Sequence, residues 1–185
     1  MDLARLQQQL NSGRQAPLEH WHPPFCGDIP IQIGRDGQWF YQQSPIGRIE
    51  LVRLFASVLQ HKNGAYVLTT PVEEVRIKVV DAPFLIVDWL WQDADSGPLL
   101  QLTDNLGYQY LVNEQTKVLL QAEPESGLLL PYLQLPRGLS AKFSRAVFYQ
   151  LAEQARLAEF QGVQQMVLQS GAYLFSLGYA DESPG

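Results

Sequence analysis

Residues 26–59 constrain the fold of this chain more strongly than any other stretch. They hold two short apolar runs, at 29–33 and 39–41, which flank the turn sequence Arg35-Asp36-Gly37. Asp-Gly between apolar runs predicts a β-hairpin, because glycine accepts the positive φ that the turn requires. The stretch therefore predicts two antiparallel strands at the start of a small sheet.

An amphipathic helix is predicted directly after this hairpin. Ser44 is the predicted N-cap and Pro45 the first helical residue, where its missing N–H leaves no hydrogen bond unmade. The helix is predicted to continue to about Gln60 with one apolar face for the core. That face carries Leu51, Val52, Phe55, Val58 and Leu59.

Arg48 interrupts this pattern, because it projects onto the apolar side in the first turn of the predicted helix. A cation at the positive end of a helix gains nothing from the helix dipole, so an anion is expected nearby. One interpretation is a structural salt bridge to Asp81 or Glu73. The other is an anion pocket formed by Arg48, Arg35 and free N–H groups of the helix.

The rest of the chain repeats this plan of strands with one amphipathic helix. The second helix is predicted to begin at Ser140 as its N-cap. The further strands alternate or are apolar, and they are bounded by turn residues. These strands lie near 66–70, 75–79, 84–91, 99–102, 108–112, 117–121, 128–135, 166–168 and 172–177.

This pattern predicts an α+β protein with two small related halves, each an antiparallel sheet with a helix. A polar loop at 93–98 marks the boundary, so the predicted domains are 18–95 and 96–185. An N-terminal extension, residues 1–17, precedes them. Within it, Asp2 is predicted to cap a short helix carrying Leu3, Leu6 and Leu10.

Composition excludes several classes of protein. The net charge of −6 disfavours nonspecific binding to nucleic acid or to an anionic membrane, because a basic face supplies most of that affinity. The single cysteine rules out an intrachain disulfide, and no apolar run approaches the ~18–20 residues of a membrane span. The start of the chain lacks the apolar core of a signal peptide. We expect a bacterial, cytoplasmic protein that binds neither nucleic acid nor membrane.

Motifs for catalysis or for a cofactor are absent from the sequence. It holds no Walker-type phosphate loop, no Rossmann fingerprint and no nucleophile elbow. His20, His22, Cys26 and Asp28 are all possible metal ligands, but a tetrahedral site usually draws on two separated segments. Nothing in the sequence shows that His22 could activate Cys26 as a nucleophile. We therefore expect no metal and no cofactor.

Several short elements, taken in order, resemble the bacterial domain-of-unknown-function family 1285. In the first half these are 26–27, 35–37 with Trp39 and Tyr41, 44–46 with Arg48, 54–55, 71–73 and 81–84. In the second half they are 131–132, Arg137, Leu139, Ala141 and 145–149. The resemblance implies two related α+β halves, the second loosely like a pleckstrin-homology barrel. It also implies a ligand site between the halves for a nucleotide-like molecule, and a role in signalling.

The predicted ligand-binding residues combine the charge anomaly with the matched positions. They are Arg48, Arg35, Trp39, Asp81, Tyr132 and Arg137. Three functions stay open: a non-enzymatic module that binds a small anionic or nucleotide-like ligand, an adaptor that binds proteins, and a small hydrolase or transferase. The adaptor would use Trp39, Tyr41 or Trp89 as exposed aromatic contacts.

Overall fold

The computed structural model describes residues 2–10 and 16–180, and these form two compact units. Unit 1 is Met1–Pro83 together with Pro136–Leu139, and unit 2 is Phe84–Leu135 together with Ser140–Gly185. This division differs from the predicted boundary at 95/96. The reason is that residues 84–92 form a central strand of the second sheet, paired on both sides with strands of unit 2.

Unit 1 is one six-stranded sheet with two helices. Its elements are α1 (Leu3–Gln9), β1 (Phe25–Ile33), β2 (Trp39–Tyr41), β3 (Ser44–Pro45), α2 (Ile49–Ala56), β4 (Leu59–Lys62), β5 (Ala65–Thr69) and β6 (Glu74–Val79). The strand order is β3-β2-β1-β6-β5-β4. The central pair β1–β6 is parallel and the others are antiparallel. The chain thus runs from the central strand β1 to the edge strand β3, continues through α2 to the opposite edge strand β4, and returns to the centre at β6.

The core of unit 1 lies on one face of this sheet. Alternate residues of β1 and β6 are buried, as a half-exposed sheet requires, and α2 buries its own apolar face. The ring of Trp39 on β2 stacks on that of Phe55 on α2, with centroids 6.4 Å apart. Other buried apolar residues of this core include Ile29, Ile31, Ile33, Leu51, Leu59, Leu68, Val75 and Ile77.

The N-terminal helix is confirmed and is tied to the sheet by polar contacts. The carboxylate of Asp2 accepts the N–H of Arg5 at 2.8 Å, which caps α1 as predicted. At the other end, the side chain of Gln9 donates to Glu73 at 2.8 Å and accepts from the hydroxyl of Thr70 at 2.7 Å. Because Glu73 is buried, this bond gives its carboxylate a partner inside the protein.

The predicted start of α2, the helix that follows the first hairpin, is wrong. Ser44 and Pro45 form strand β3, which folds back on β2, and α2 begins only at Ile49 with Arg48 as its N-cap. Gln42 and Gln43 both have positive φ (49° and 68°), the conformation of a two-residue hairpin turn. Such a turn usually has the sequence Asn-Gly. Because Gln-Gln is not a typical turn sequence, the hairpin of β2 and β3 could not be recognised from the sequence. The helix also ends at Ala56, and the chain continues as β4.

Unit 2 contains a second six-stranded sheet, one helix and a three-stranded sheet. Its elements are β7 (Phe84–Gln92), β8 (Leu99–Asp104), β9 (Gln109–Leu111), β10 (Val118–Ala122), β11 (Leu129–Gln134), β12 (Ser140–Phe143), α3 (Arg145–Ala152), β13 (Arg156–Phe160), β14 (Val163–Ser170) and β15 (Tyr173–Tyr179). The orders are β10-β11-β12-β7-β8-β9 and β13-β14-β15. The pair β7–β12 is parallel.

The two six-stranded sheets share one strand order, which supports the predicted duplication. In each, the first strand is central, the third and fourth lie at opposite edges, and the sixth returns parallel to the first. The pleckstrin-homology likeness implied for the second half is not confirmed, since its strands form two open sheets. The mixed α+β fold with two related domains is confirmed.

The helix of unit 2 also begins later than predicted. Ser140 lies in β12, whose alternate residues Ala141 and Phe143 are buried, so this segment is a strand. The N-cap of α3 is Ser144, whose hydroxyl accepts the N–H of Val147 at 3.3 Å. The strand β13 is absent from the strands predicted from the sequence.

The segment Pro136–Leu139 completes unit 1, although the strands on either side of it belong to unit 2. The guanidinium of Arg137 donates to the carbonyl of Ser57 at 2.7 Å and to that of Ala16 at 2.9 Å. Since Ser57 is the C-cap of α2, the cation lies at the negative end of that helix. Gly138 (φ 71°) runs so close to His61 that a Cβ atom would be 2.5 Å from its carbonyl oxygen.

Candidate functional site

The outward face of the unit 1 sheet carries polar side chains along β6 and, on β1, at Asp28 and Gln32 on either side of Pro30. Asp28 and Arg76 lie side by side on these strands and form a bidentate pair, with N–O distances of 2.7 and 3.1 Å. The hydrogen bonds from Arg76 hold the pKa of Asp28 below its usual range. The same guanidinium lies 5.9 Å from the ring centroid of Phe25, a cation–π distance.

Lys78 follows Arg76 on this face but is not paired. Across the face, Lys62 is neutralised by Glu74, and Arg76 by Asp28. Among residues 2–10 and 16–180, Lys78 has no carboxylate partner and its side chain is exposed. An unpaired cation beside neutralised ones is open to an anionic ligand.

Lys78 lines a groove of about 550 Å³ on this face, a volume within the range of small-molecule sites. Phe40 contributes an aromatic ring, and three glutamines contribute amides that can both donate and accept. In the described part of the chain, none of these amides has a side-chain or backbone partner. The lining residues are Ile29, Pro30, Ile31, Gln32, Phe40, Gln42, Gln43 and Lys78.

The turn that carries two of these glutamines holds them in an unusual backbone conformation. Gln42 and Gln43 both occupy the left-handed region, which costs free energy for residues other than glycine. The N–H of Gln42 donates to the carbonyl of Pro30 at 2.9 Å, which ties the turn to β1. Backbone strain of this kind is enriched at ligand sites.

Arg48 does not lie on the apolar face of α2, as the sequence had predicted. It is the N-cap residue, its side chain is exposed, and its carbonyl accepts the N–H groups of Leu51 and Val52. Because the helix starts four residues later than predicted, Arg48 precedes its first turn. Within the described residues, no ion pair joins Arg48 to Asp81 or to Glu73.

Trp39 is not an exposed aromatic contact either. Only 2% of its surface is exposed, and its indole N–H is a buried donor for which the described residues offer no acceptor. The second aromatic predicted for protein binding, Trp89, is half-buried and donates its indole N–H to Gln150 at 2.8 Å. Tyr41 is half-buried at the end of β2.

The other predicted site residues occupy varied positions. Arg35 is exposed in the turn that leads to Trp39, so these two share one hairpin. Asp81 is half-buried after β6, and its charge contributes, after burial, to the raised pKa of Tyr66. Tyr132 is buried on β11 of unit 2, whereas Arg137 caps α2. Their roles as ligand contacts stay predictions.

The groove residues were missed by the sequence reasoning, although a weak signal was present. Gln32 and Lys78 occupy outward positions of strands whose inward positions are apolar. Outward polar residues are also typical of any half-exposed sheet, so the pattern alone could not select them. Gln42 and Gln43 became recognisable only through their positive φ.

The possible metal ligands near the N-terminus do not form a cluster of three in the described part of the chain. The thiol of Cys26 donates to the carbonyl of Pro24 at 3.4 Å, and His20 lies 3.9 Å from Glu19. In the described part of the chain, no three His, Cys, Asp or Glu side chains are grouped so that they could hold a metal ion. No described helix is both long enough and apolar enough to cross a membrane.

Two buried carboxylates of unit 2 have shifted pKa values. Burial raises the pKa of Asp104, although its oxygens accept the N–H groups of Leu106 and Tyr108 and the hydroxyl of Tyr110 at 2.9–3.0 Å. Burial, and then the charge of Asp104, raises the pKa of Tyr110. Because these bonds close the turn between β8 and β9, the carboxylate is part of the structure of the hairpin.

Glu123 is the second of these carboxylates. It accepts the hydroxyl and the N–H of Ser126, and the ammonium of Lys142 at 3.1 Å. The bond from the Ser126 hydroxyl is the main reason why its pKa falls to about 2. A carboxylate of such low basicity is a poor proton acceptor near neutral pH.

Comparison with known proteins gives two family matches. A model described as "Domain of unknown function (DUF1285), N-terminal domain" matches residues 16–82, and one described as "Protein of unknown function (DUF1285), C-terminal domain" matches residues 83–177. The curated proteins contain no significant match.

Two solved structures resemble this chain. A DUF1285 family protein from Silicibacter pomeroyi DSS-3 is 34% identical, with a TM-score of 0.85, over 97% of this chain and 96% of the other. A DUF1285 family protein from Shewanella baltica OS155 is 31% identical, with a TM-score of 0.56, over 69% of this chain and 94% of the other. The first of these likenesses spans both units.

Proposed function

The chain belongs to the DUF1285 family, and we propose that it is a non-catalytic module that binds a small nucleotide-like anion on the outward face of the unit 1 sheet. The family description states no activity, so the proposal is based on the groove. Its single strongest support is Lys78, an unpaired cation in a groove whose three amides are also unpaired. Leaving four such groups without protein partners suits a site that a polar ligand fills.

The groove offers a contact for each part of a nucleotide. An ammonium suits a phosphate group as a point charge, and Lys78 supplies it. The ring of Phe40 is half-buried and offers a stacking surface for a base. Glutamine amides form paired hydrogen bonds with base edges, and three of them line the groove.

Binding is favoured over catalysis by the state of the ionisable groups. The carboxylates with shifted pKa values in unit 2, Asp104 and Glu123, are held in turns by several hydrogen bonds each. The groove itself is lined by a lysine and by amides, without a carboxylate or histidine. Histidine and carboxylates are the commonest general acids and bases, so the groove lacks the groups that most such reactions use.

Thermal shift and calorimetry with AMP, ATP, GMP and inorganic phosphate test this proposal. We expect the midpoint to rise with at least one nucleotide, and Lys78→Ala to weaken binding about tenfold. Arg48→Ala is the informative comparison, since it tests the anion contact predicted from the sequence. Lys117→Ala, an exposed lysine of unit 2, is the control. No stabilisation by any nucleotide at 5 mM, or equal affinity in Lys78→Ala, would contradict the proposal.

Protein binding is the second candidate function, and strand β13 favours it. It is an edge strand of the three-stranded sheet, and Leu157 on it is 67% exposed. An open edge with an exposed apolar side chain can pair with a strand of another protein. Affinity capture with the full chain, repeated with Leu157→Lys, tests it. A partner retained equally by both chains would argue against this edge.

A further inference from the structure

Unit 2 has a groove of its own, of about 530 Å³, near the end of β7 and along β14. It contains both a cation and an anion, unlike the groove of unit 1. Its polar residues are Asp93, Gln154, Arg156 and Gln169, and the rest of the lining is Trp91, Pro98, Val167 and Leu168.

The orientation of Trp91 is set by a hydrogen bond. Its indole N–H donates to Oε1 of Gln154 at 2.8 Å. Trp89, two residues earlier on β7, makes the same bond to Gln150, four residues earlier than Gln154. Two matched bonds hold the two rings in register against α3 and the residues after it. The half-buried ring of Trp91 therefore gives the groove a fixed apolar wall.

Both charged side chains that line the groove are accessible to a ligand. Arg156 and Asp93 are exposed, and neither has an ion-pair partner within residues 2–10 and 16–180. Although they line the same groove, they do not form a salt bridge with each other. Each can therefore meet a charge of opposite sign on a ligand.

Each amide beside these charges has one end that makes no hydrogen bond within the described residues. The Oε1 atom of Gln154 already accepts the indole N–H, which leaves its NH₂ group as a donor. The NH₂ group of Gln169 donates to the carbonyl of Gly171 at 2.9 Å, which leaves its Oε1 atom as an acceptor. The groove thus combines one cation, one anion, one donor and one acceptor around an apolar wall.

We infer that this groove binds a small zwitterion with an apolar body, of the class of α-amino acids and short peptides. The ligand's carboxylate pairs with Arg156, its ammonium pairs with Asp93, and its side chain lies on Trp91. A ligand with a single charge would leave the like charge of the groove unfavourably close, and a neutral one would leave both charges without a partner. This inference is independent of the nucleotide proposal, because it concerns another unit and other residues.

The test uses ¹⁵N-labelled full-length protein and follows the four tryptophan indole signals by NMR. Trp91→Phe identifies the Trp91 signal. The probes are L-phenylalanine, the dipeptide Gly-Phe, phenylalanine amide without the carboxylate, and N-acetyl-L-phenylalanine without the ammonium. We expect the Trp91 signal to shift in a saturable way with a zwitterion, and the two singly charged analogues to bind at least tenfold more weakly.

Charge variants decide which group meets which end of the ligand. Arg156→Gln should weaken the zwitterion about tenfold without weakening phenylalanine amide, because that cation loses only a like charge. Asp93→Asn should weaken the zwitterion similarly without weakening N-acetyl-L-phenylalanine, because that anion loses only a like charge. Lys117→Gln, at an exposed lysine outside this groove, should change nothing. The inference is overturned if neither zwitterion shifts the Trp91 signal in a saturable way up to 10 mM. It is also overturned if all four probes bind alike or if the charge variants bind as the original chain does.

Discussion

The two six-stranded sheets follow the same strand order but differ in where the helix is inserted. In unit 1, α2 lies between the third and fourth strands, whereas in unit 2 a loop makes that connection and α3 follows the sixth strand. The order of strands therefore does not depend on the position of the helix. What differs between the two sheets is whether particular charged side chains have partners within the protein.

The ionisable groups illustrate this difference. On the outward face of the unit 1 sheet, Lys78 lacks a partner within the described residues and lines a groove. In unit 2, Asp104 and Glu123 are buried, and their carboxylates accept hydrogen bonds from backbone N–H groups of the turns that contain them. The first sheet thus leaves the charge of Lys78 exposed, while the second sheet uses the charges of Asp104 and Glu123 to close turns between its strands.

The largest expected effect concerns the segment that completes unit 1. We expect Gly138→Ala to lower the free energy of unfolding by about 2–4 kcal/mol, because a Cβ atom would clash with the carbonyl of His61 and φ is positive. Gly127→Ala is a matched control, since Gly127 has the same φ of 71° and nothing within 4 Å of its Cβ position. It should cost only about 1 kcal/mol. Urea unfolding measures both, and equal losses would show that the contact with His61 does not matter.

The next effect tests the structural role of charge in unit 2. We expect Glu123→Gln to lower the free energy of unfolding by about 1–2 kcal/mol at pH 7. The folded pKa of about 2 lies below the ordinary 4.5, so the carboxylate stabilises the fold fully above pH 4.5. That contribution is lost as the pH falls from 4.5 towards 2, so the difference between the two chains should shrink over this window.

Urea unfolding at pH 7, 4 and 3 follows this difference. Glu153→Gln, at an exposed position on α3's C-cap, serves as the control and should change little at any pH. A difference for Glu123→Gln that stays constant with pH would mean that its charge is not what the turn uses.

The smallest effect compares two turns. We expect Gln42→Asn with Gln43→Gly to raise the free energy of unfolding by about 1 kcal/mol, because Asn-Gly suits two residues of positive φ. The same change should weaken nucleotide binding, since both glutamines line the groove. In unit 2, Gln161 is already followed by a glycine of positive φ, so Gln161→Asn should change stability by only a few tenths of a kcal/mol. Unchanged stability of the double variant would show that the turn is unstrained.

Sequence reasoning predicted the elements that local chemistry specifies. The hairpin at Arg35-Asp36-Gly37 and the one at residues 104–107 are present, because Gly at these turns marks them in the sequence. It placed Ser44 and Ser140 at helix starts, and both lie in strands. A Ser before an apolar run predicts a cap equally well when the run is a strand, and only pairing with a distant partner decides between them.

The candidate site could not be predicted for a related reason. Lys78 and Gln32 meet because β1 and β6 pair in parallel, 46 positions apart in sequence, and no local signal specifies such a pair. Arg48 was chosen because of its position on a helix that starts later than predicted. Trp39, chosen from its family match, is buried against Phe55. The repeated arrangement of strands and a helix could be predicted from the pattern of apolar and turn residues, whereas the contacts between particular side chains could not.

The segment Pro136–Leu139 has a consequence for how this protein can be divided. The family boundary at 82/83 is a single cut, yet that cut leaves Arg137 on the other piece from Ser57 and Ala16. No single break in the chain separates the two units with both complete. Two copies that arise by duplication begin as separable modules. Here a loop between two strands of unit 2 completes unit 1. Recombination at one point in the chain can therefore no longer exchange either unit intact.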